Sequence, residues 1–149
     1  MPRPHGRAPV PLDRLAAIAG VRPRDGWDSV AVTGVALDSR SVRPGDLYAA
    51  LPGAVTHGAA FISAAARAGA VAVLTEGGVT TPERLPLLVS DDPRGIVGTL
   101  AAEVYGHPSD SMTMLGVTGT NGKTTVSYLL DAGLRAAGRV TGVIGTVET

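Results

Sequence analysis

A glycine-rich segment in the last third of the sequence carries the residue types of a phosphate-binding site. Residues 119–125 read Gly-Thr-Asn-Gly-Lys-Thr-Thr. Glycines let the backbone turn tightly around an anion, an ammonium group neutralises phosphate charge, and a hydroxyl group ligates Mg²⁺. The only lysine of the chain lies in this segment, at position 123, and its compact charge fits between phosphate oxygens where a planar guanidinium does not. The segment therefore predicts a site for ATP and Mg²⁺.

The residues of this loop have separate predicted roles. Gly119 and Gly122 permit the turn, Lys123 neutralises the β- and γ-phosphates, and the Thr124 hydroxyl binds Mg²⁺. The general pattern has a further glycine five residues before Gly122, where this chain has Val117. The alternative interpretation is a glycine-rich turn with an incidental lysine. The complete set of predicted ATP-binding residues is Gly119, Thr120, Asn121, Gly122, Lys123, Thr124 and Thr125.

A strand before this loop and a helix after it are needed to aim the loop amides at a phosphate. The apolar run 112–118 predicts the strand, and residues 123–137, stopped by Gly138, predict the helix. A second strand is expected over 140–144. We therefore expect residues 108–149 to begin a parallel-sheet, P-loop ATPase domain with strand, loop, helix and strand. Such a piece leaves an apolar sheet face uncovered, so it should be only marginally stable without more chain.

The preceding residues predict a small α/β domain over 12–107. Proline and glycine interrupt the chain at 106–110, which places the domain boundary there. A helix opened by Asp91 or Asp92, with Pro93 in its first turn, should run to about Tyr105. The other predicted elements are helices at 12–19 and 58–68 and strands within 29–37, 46–51, 70–74 and 87–90.

Composition narrows the functional class. Thirteen basic residues balance thirteen acidic ones, which gives no support for a nucleic-acid or anionic-membrane surface. The chain has no cysteine, which fits a reducing compartment, so the cytoplasm is the expected location. No apolar run approaches the roughly 20 residues that span a bilayer. Residues 1–11, with four prolines, are expected to form a disordered tail.

Two segments resemble the Mur ligases. Residues 115–125 are similar to the ATP loop of that family, whose variant reads Gly-Thr-Asn-Gly-Lys-Thr. Residues 37–53, Leu-Asp-Ser-Arg-Ser-Val-Arg-Pro-Gly-Asp-Leu-Tyr-Ala-Ala-Leu-Pro-Gly, resemble the substrate-domain signature of the members that add the third residue and the terminal dipeptide. The segments 105–109 and 142–146 favour the members that add the third residue. The chain is thus identified as the N-terminal part of a Mur ligase.

This resemblance implies an ATP-dependent amide ligase of peptidoglycan precursor synthesis with three domains. The enzyme would use an acyl-phosphate to join diaminopimelate or lysine to UDP-N-acetylmuramoyl-L-alanyl-D-glutamate, and is expected to be a monomer. The fragment alone is expected to be inactive, and no catalytic residue can be assigned in it. By position in the family pattern, the residues expected to contact the UDP moiety are Leu37, Ser39, Ala54, Val55 and Thr56.

Two other functions are compatible with the same residues. The chain could belong to the sister ligase that adds D-alanyl-D-alanine, or be a non-catalytic UDP-sugar-binding module. Asp38 and Arg40 could form only a surface pair that holds a turn. The remaining charged or titratable side chains considered are expected to be solvated rather than catalytic or metal-binding: His57, His107, Glu103 and Asp131.

Overall fold

The computed structural model describes residues 8–54, 56–81 and 85–145. Contacts divide the chain into two compact units, Met1–Ser111 and Met112–Thr149. The division falls slightly after the predicted boundary because the 3-10 helix Pro108–Ser111 belongs to the first unit.

The first unit has α/β architecture. Its strands and α-helices are, in chain order, β1 (Val10–Pro11), α1 (Leu12–Ile18), β2 (Ala31–Val32), β3 (Gly34–Ala36), β4 (Asp46–Ala49), α2 (Ile62–Arg67), β5 (Ala72–Thr75), β6 (Leu87–Val89) and α3 (Pro93–Tyr105). Single 3-10 turns lie at Trp27–Ser29, Ser39–Ser41 and Gly58–Phe61.

Four of these strands form one parallel sheet in the order β3-β4-β5-β6. In the register, Val35 lies opposite Leu47, and Leu74 lies opposite Leu88. Each strand is joined to the next by a crossover, so all four carboxyl ends meet at the same edge of the sheet. This edge, which we call the carboxyl edge, positions most of the predicted substrate residues.

Both faces of the sheet are buried, which explains why its strands read as continuous apolar runs. Alternate residues of each strand point to opposite faces. Leu47 and Leu74 join one buried cluster with residues of α1 and α3, whereas Tyr48 and Val73 join a second cluster with residues of α2. The predicted α/β class is confirmed.

Helix α3 begins and ends as its sequence predicts. The Asp92 side chain accepts a hydrogen bond from the Gly95 amide at 2.8 Å, which caps the helix, and Pro93 occupies the first turn. Gly106 ends the helix in a left-handed conformation with a φ of 69°.

Two predictions in the first unit need correction. Pro11 and Val10, expected in the disordered tail, form β1 and pair with β2; residues 1–7 lie outside the described part. The predicted strand over 29–37 is instead divided, since β2 pairs antiparallel with β1 while β3 pairs parallel with β4. The residues of this segment do not reveal the division, because it depends on the partner strands β1 and β4, which lie outside the segment.

The described residues of the second unit, 112–145, contain one helix, α4 (Lys123–Ala136), which the glycine-rich loop precedes. The predicted strands over 112–118 and 140–144 are wrong for this structure: neither segment is a strand. A strand requires hydrogen bonds to a neighbouring strand, and the described residues of this unit provide none. Accordingly Leu115, Val140 and Ile144 are exposed.

Helices α3 and α4 are the longest in the described part of the chain, with 13 and 14 residues. Across residues 8–54, 56–81 and 85–145, no helix has the length and apolar character needed to cross a membrane.

Candidate functional site

The carboxyl edge gathers four loops of the first unit. They follow Ala36, Ala49, Thr75 and Val89, the last residues of the four parallel strands. Ligands of parallel α/β sheets bind outside the carboxyl ends of the strands. The predicted substrate residues of this unit lie in the first two of these loops, so the topology brings them to one edge.

The loop after β3 is held by a local fork of hydrogen bonds. The Asp38 carboxylate accepts from Arg40 Nη2 at 2.6 Å, from Arg40 Nε at 3.0 Å and from the Arg40 backbone amide at 2.9 Å. These hydrogen bonds, the side-chain ones foremost, lower the pKa of Asp38 to about 2. Asp38 and Arg40 therefore do form the surface pair that was considered as an alternative. This pair holds the turn and fixes the backbone around Ser39.

The two predicted substrate residues in this loop are accessible. The Leu37 side chain is 64 % exposed although it directly follows a buried strand. Ser39 is partly exposed at the start of its 3-10 turn. An exposed leucine beside a hydroxyl group suits contact with a flat, partly polar ring.

The loop after β4 contains the remaining predicted substrate residues. Ala54 and Thr56 are exposed, and Val55 lies outside the described residues. At the N-terminal end of the loop, Arg94 Nη2 donates to the Pro52 carbonyl oxygen at 2.6 Å. This contact ties the loop to the first turn of α3.

The other end of this loop is held by a histidine, contrary to the expectation that His57 is solvated. His57 Nδ1 accepts from the Ala59 amide at 2.9 Å, and Nε2 lies 2.9 Å from Glu76 Oε1. Glu76 directly follows β5. Sequence reasoning missed this pair and the Arg94 contact, because each joins residues that lie far apart in the sequence.

Thr75, the last residue of β5, is fully buried. Within the described part of the chain its hydroxyl group has no hydrogen-bond partner. A buried hydroxyl without a partner costs stability. Thr75 is therefore a polar group at the carboxyl edge that packing alone does not explain.

In the second unit, the glycine-rich loop has a geometry that only glycine adopts readily. Gly119 has a φ of 150° and Gly122 a φ of 74°. Helix α4 begins immediately after Gly122 and has no side-chain hydrogen bond at its N-terminal cap. Among the described residues, no side chain caps the amides of the first turn, and these amides point toward the loop, as phosphate recognition requires.

Lys123 lies across this loop. Its ammonium group donates to the carbonyl oxygens of Gly119 and Thr120, and Lys123 and Thr124 are both exposed. An ammonium group has three donors, so one remains for an anion. The residues present therefore fit a phosphate group, with Lys123 and the first-turn amides around it and the Thr124 hydroxyl available to a phosphate-bound cation.

Two acidic residues that were expected to be merely solvated are paired. Glu103 contacts Arg14 at 2.6 Å and His107 at 3.0 Å. The hydrogen bond from His107, followed by the charge of Arg14, lowers the pKa of Glu103. In the second unit, Asp131 accepts hydrogen bonds from Thr141 and Arg135. Both lower the pKa of Asp131, and the bond from Thr141 has the larger effect. These pairs hold helix ends and are not part of the predicted sites.

Each of the two units matches a domain of the same protein family. The model described as Mur ligase family, catalytic domain, matches residues 31–108, more than half of the chain. The chain belongs to the Mur ligase family. The Mur ligase middle domain matches residues 117–149, a segment that includes the glycine-rich loop and α4.

Curated relatives of this Mur ligase chain carry consistent names. It is 53 % identical, over 99 % of its length, to UDP-N-acetylmuramoyl-L-alanyl-D-glutamate--2,6-diaminopimelate ligase of Streptomyces coelicolor. It is 47 % identical, over 98 % of its length, to UDP-N-acetylmuramyl-tripeptide synthetase of Leifsonia xyli. The chain spans only 29 % of the length of each of these relatives.

Solved structures share the fold of this Mur ligase chain. A UDP-N-acetylmuramoyl-L-alanyl-D-glutamate--2,6-diaminopimelate ligase superposes with a TM-score of 0.66 and 28 % identity, over 88 % of this chain and 26 % of that one. MurF ligase from Thermotoga maritima, in complex with ADP, gives a TM-score of 0.55 and 30 % identity, over 70 % of this chain and 24 % of that one.

Proposed function

We propose that this chain is the N-terminal part of an ATP-dependent amide ligase that extends a peptidoglycan precursor. In this proposal the first unit binds the UDP end of UDP-N-acetylmuramoyl-L-alanyl-D-glutamate, and the second unit begins the ATP-binding domain. The enzyme adds the third amino acid of the peptide. The names of the 53 % identical relatives favour diaminopimelate over lysine as that amino acid.

The observation that carries the proposal is the glycine-rich loop at the start of α4. Its two glycines with positive φ, the uncapped first turn of the helix and Lys123 across the loop form an anion site. The loop lies within the segment that matches the Mur ligase middle domain. Mur ligases use ATP, which supplies the phosphoryl group that activates a carboxylate for amide formation.

The residues have distinct roles in this proposal. In the loop, Lys123 binds and orients the terminal phosphates, and Thr124 contributes its hydroxyl to Mg²⁺. Backbone amides from Gly119 to Thr125 complete the cradle. At the carboxyl edge the residues that bind the UDP moiety are Leu37, Ser39, Ala54, Val55 and Thr56.

The sister ligase that adds D-alanyl-D-alanine is the second candidate, because solved structures of D-alanyl-D-alanyl ligases share this fold. At 19 % identity that likeness concerns the fold alone. The curated relatives at 53 and 47 % identity are named for addition of diaminopimelate or for tripeptide synthesis. They also weigh against a non-catalytic UDP-sugar-binding module.

The proposed setting is the cytoplasm, with the ligase acting as a monomer. Zero formal net charge and the absence of cysteine support small-molecule substrates in a reducing compartment over a nucleic-acid or membrane partner.

A ligation assay on the intact protein that contains this segment tests the proposal. The protein receives ATP and Mg²⁺ with one substrate pair at a time: UDP-N-acetylmuramoyl-L-alanyl-D-glutamate with diaminopimelate, the same compound with lysine, or the diaminopimelate-containing UDP-tripeptide with D-alanyl-D-alanine. Products are identified by mass. Amide formation with diaminopimelate supports the proposal. Reaction only of the tripeptide precursor with D-alanyl-D-alanine would identify the sister enzyme instead, and no ligation of any pair would leave the binding module.

Lys123→Met in the same protein should lower ligation by about 100-fold or more, because an electrostatic contact to the transferred phosphoryl group is lost. Ser127→Ala is the matched control: Ser127 lies one turn further along α4, and its hydroxyl donates only to the Lys123 carbonyl oxygen. Ser127→Ala should retain nearly full activity. Unchanged ligation by Lys123→Met would show that the loop is not the phosphate site.

A further inference from the structure

The carboxylate of Glu103, in the last turn of α3, joins two other segments of the first unit. Arg14 Nη2, from α1, lies 2.6 Å from Glu103 Oε1, and His107 Nε2, from the segment after α3, lies 3.0 Å from Oε2. The Glu103 side chain is only 12 % exposed, and a carboxylate withdrawn from water in this way needs partners. We call these three residues the Glu103 cluster. It ties the segment that follows α3 to α1.

The backbone of His107 has a conformation that needs support. His107 has a φ of 52°, and among residues 8–54, 56–81 and 85–145 it is the single non-glycine residue with a positive φ. Such a φ is unfavourable for a residue with a Cβ, and the ring of the following Pro108 restricts the residue before it further. Gly106 already ends the helix, so helix termination alone does not explain this conformation. The bond between the His107 ring and Glu103 offsets its cost.

The end of α3 is itself fixed to the sheet. The Tyr105 hydroxyl oxygen accepts from the Val35 amide of β3 at 3.1 Å. Val104, next to Tyr105, is buried in the core. The Glu103 carboxylate therefore projects from a part of the helix that packing and a hydrogen bond to the backbone of β3 both hold in place.

Hydrogen bonds continue from α3 to the last residue of the first unit. The His107 amide donates to the Ala102 carbonyl oxygen at 2.7 Å, and the His107 carbonyl oxygen accepts from the Asp110 amide at 3.0 Å. The Ser111 hydroxyl then donates to the Pro108 carbonyl oxygen at 2.9 Å. His107 thus connects α3 to the 3-10 helix that ends the unit, and its orientation sets that of the helix.

We propose that Arg14, Glu103 and His107 are positioning residues that fix the direction in which the chain leaves the first unit. This role rests on the proposed function, in which the precursor binds the first unit and ATP binds the second. Ligation requires the carboxylate of one substrate to meet the terminal phosphate of the other, and a loose connection lowers the fraction of molecules in which they meet. None of the three residues has to contact a substrate, so kcat rather than KM depends on them.

Five substitutions separate the parts of the cluster. His107→Gly removes the ring but suits the positive φ. Glu103→Ala removes the acceptor of both partners, whereas Glu103→Gln keeps an acceptor oxygen for His107. Arg14→Gln removes the charge on α1. Arg67→Gln is its matched control, because it makes the same change of charge at an exposed residue in the last turn of α2.

Hydrogen exchange in the 149-residue chain, detected by NMR, measures whether the cluster holds the segment. The amides of residues 106–111 should exchange about fivefold faster in His107→Gly and Glu103→Ala, and Arg67→Gln should leave them unchanged. The unfolding midpoint of His107→Gly should stay close to that of the unsubstituted chain, because glycine relieves the unfavourable φ. Unchanged exchange in both His107→Gly and Glu103→Ala would overturn the inference.

Ligation kinetics of the intact protein that contains this segment measure the consequence. His107→Gly and Glu103→Ala should lower kcat about fivefold while KM for both the UDP compound and ATP stays the same. Glu103→Gln should stay within about twofold of the unsubstituted protein, and Arg67→Gln should match it. An unchanged kcat in His107→Gly, or losses that follow the unfolding midpoint in every variant, would overturn the inference and leave the proposed function intact. If the unsubstituted protein does not ligate, the proposed function fails first and the positioning role fails with it.

Discussion

The carboxylate of Asp38 is held in its ionised form by the arginine two residues further along the chain. Three donors of Arg40, the backbone amide, Nε and Nη2, make four hydrogen bonds to the two carboxylate oxygens. Both side chains are open to solvent, so the pair contributes to the local turn more than to global stability. It keeps Ser39 in a fixed backbone setting at the mouth of the proposed UDP site.

The Asp38 carboxyl should titrate near pH 2 in the folded chain, below its ordinary value of 3.8. Because the folded pKa is lowered, the stabilising interaction is complete above about pH 4 and is lost as the pH falls toward 2. Carbon-detected NMR of the carboxyl resonance measures this midpoint directly. In Arg40→Gln the midpoint should move up toward 3.8, and a midpoint that stays near 2 would show that another group lowers the pKa of Asp38.

Thr75 presents the opposite case, a buried hydroxyl group without a partner in the described part of the chain. Thr75→Val keeps the shape of the side chain and removes the hydroxyl, so it should stabilise the first unit by about 1 kcal/mol. Thr75→Ser keeps the hydroxyl and loses a methyl group, so it should destabilise. Denaturant unfolding followed by fluorescence of Trp27, the only tryptophan and a buried residue of this unit, measures both. A loss of stability in Thr75→Val would imply that the hydroxyl is satisfied by water.

At the scale of the elements, α3 is the best-defined helix of the first unit because residues at both ends specify its limits. Asp92 caps the first turn, Pro93 follows it, and Gly106 ends the helix with a positive φ. The helix then contributes Arg94 to the loop after β4 and Leu100 to the buried core. Its start therefore affects both the fold and the proposed site.

Asp92→Ala should destabilise the first unit by about 1 kcal/mol, because the Gly95 amide loses its acceptor. Asp91→Ala is the matched control, since Asp91 is exposed and does not cap the helix. Thermal unfolding of both variants should show a lower midpoint for Asp92→Ala only. Equal effects of the two substitutions would mean that net charge, not the cap, is responsible.

The same elements show what sequence reasoning could and could not provide. The limits of α3 and the loop before α4 follow from residues within a few positions of each other, so both were predictable. The His57–Glu76 contact depends on the pairing of β4 with β5, which no local pattern reveals. The run at 112–118 has strand composition but is not a strand in this structure, because a strand exists only through its neighbour.

At the scale of the whole molecule, burial differs sharply between the two units. The first unit has a sheet with two buried faces and contains all the buried core residues of the described chain. In the second unit α4 has no buried residue. The second unit should therefore open locally at a much smaller free-energy cost than unfolding of the first unit requires.

Hydrogen exchange read by mass spectrometry should show this difference directly. Amides of β4 and β5 are expected to exchange slowest, while those of residues 112–118 and 140–144 should exchange almost as fast as an unfolded chain. Addition of Mg-ATP at millimolar concentration should slow exchange around the loop and the first turn of α4 and leave the first unit unchanged. Strong protection over 112–118 in the free chain would contradict the described structure of this unit.

In the proposed function, the carboxyl edge of the first unit binds the UDP end of a peptidoglycan precursor. Calorimetric titration of the 149-residue chain with UDP-N-acetylmuramoyl-L-alanyl-D-glutamate tests it most directly, with Ser39→Ala as the site variant and Ser29→Ala as the matched control outside the edge. We expect saturable one-to-one binding that Ser39→Ala weakens and Ser29→Ala does not. No binding by the folded chain, or binding that Ser39→Ala leaves unchanged, would contradict it.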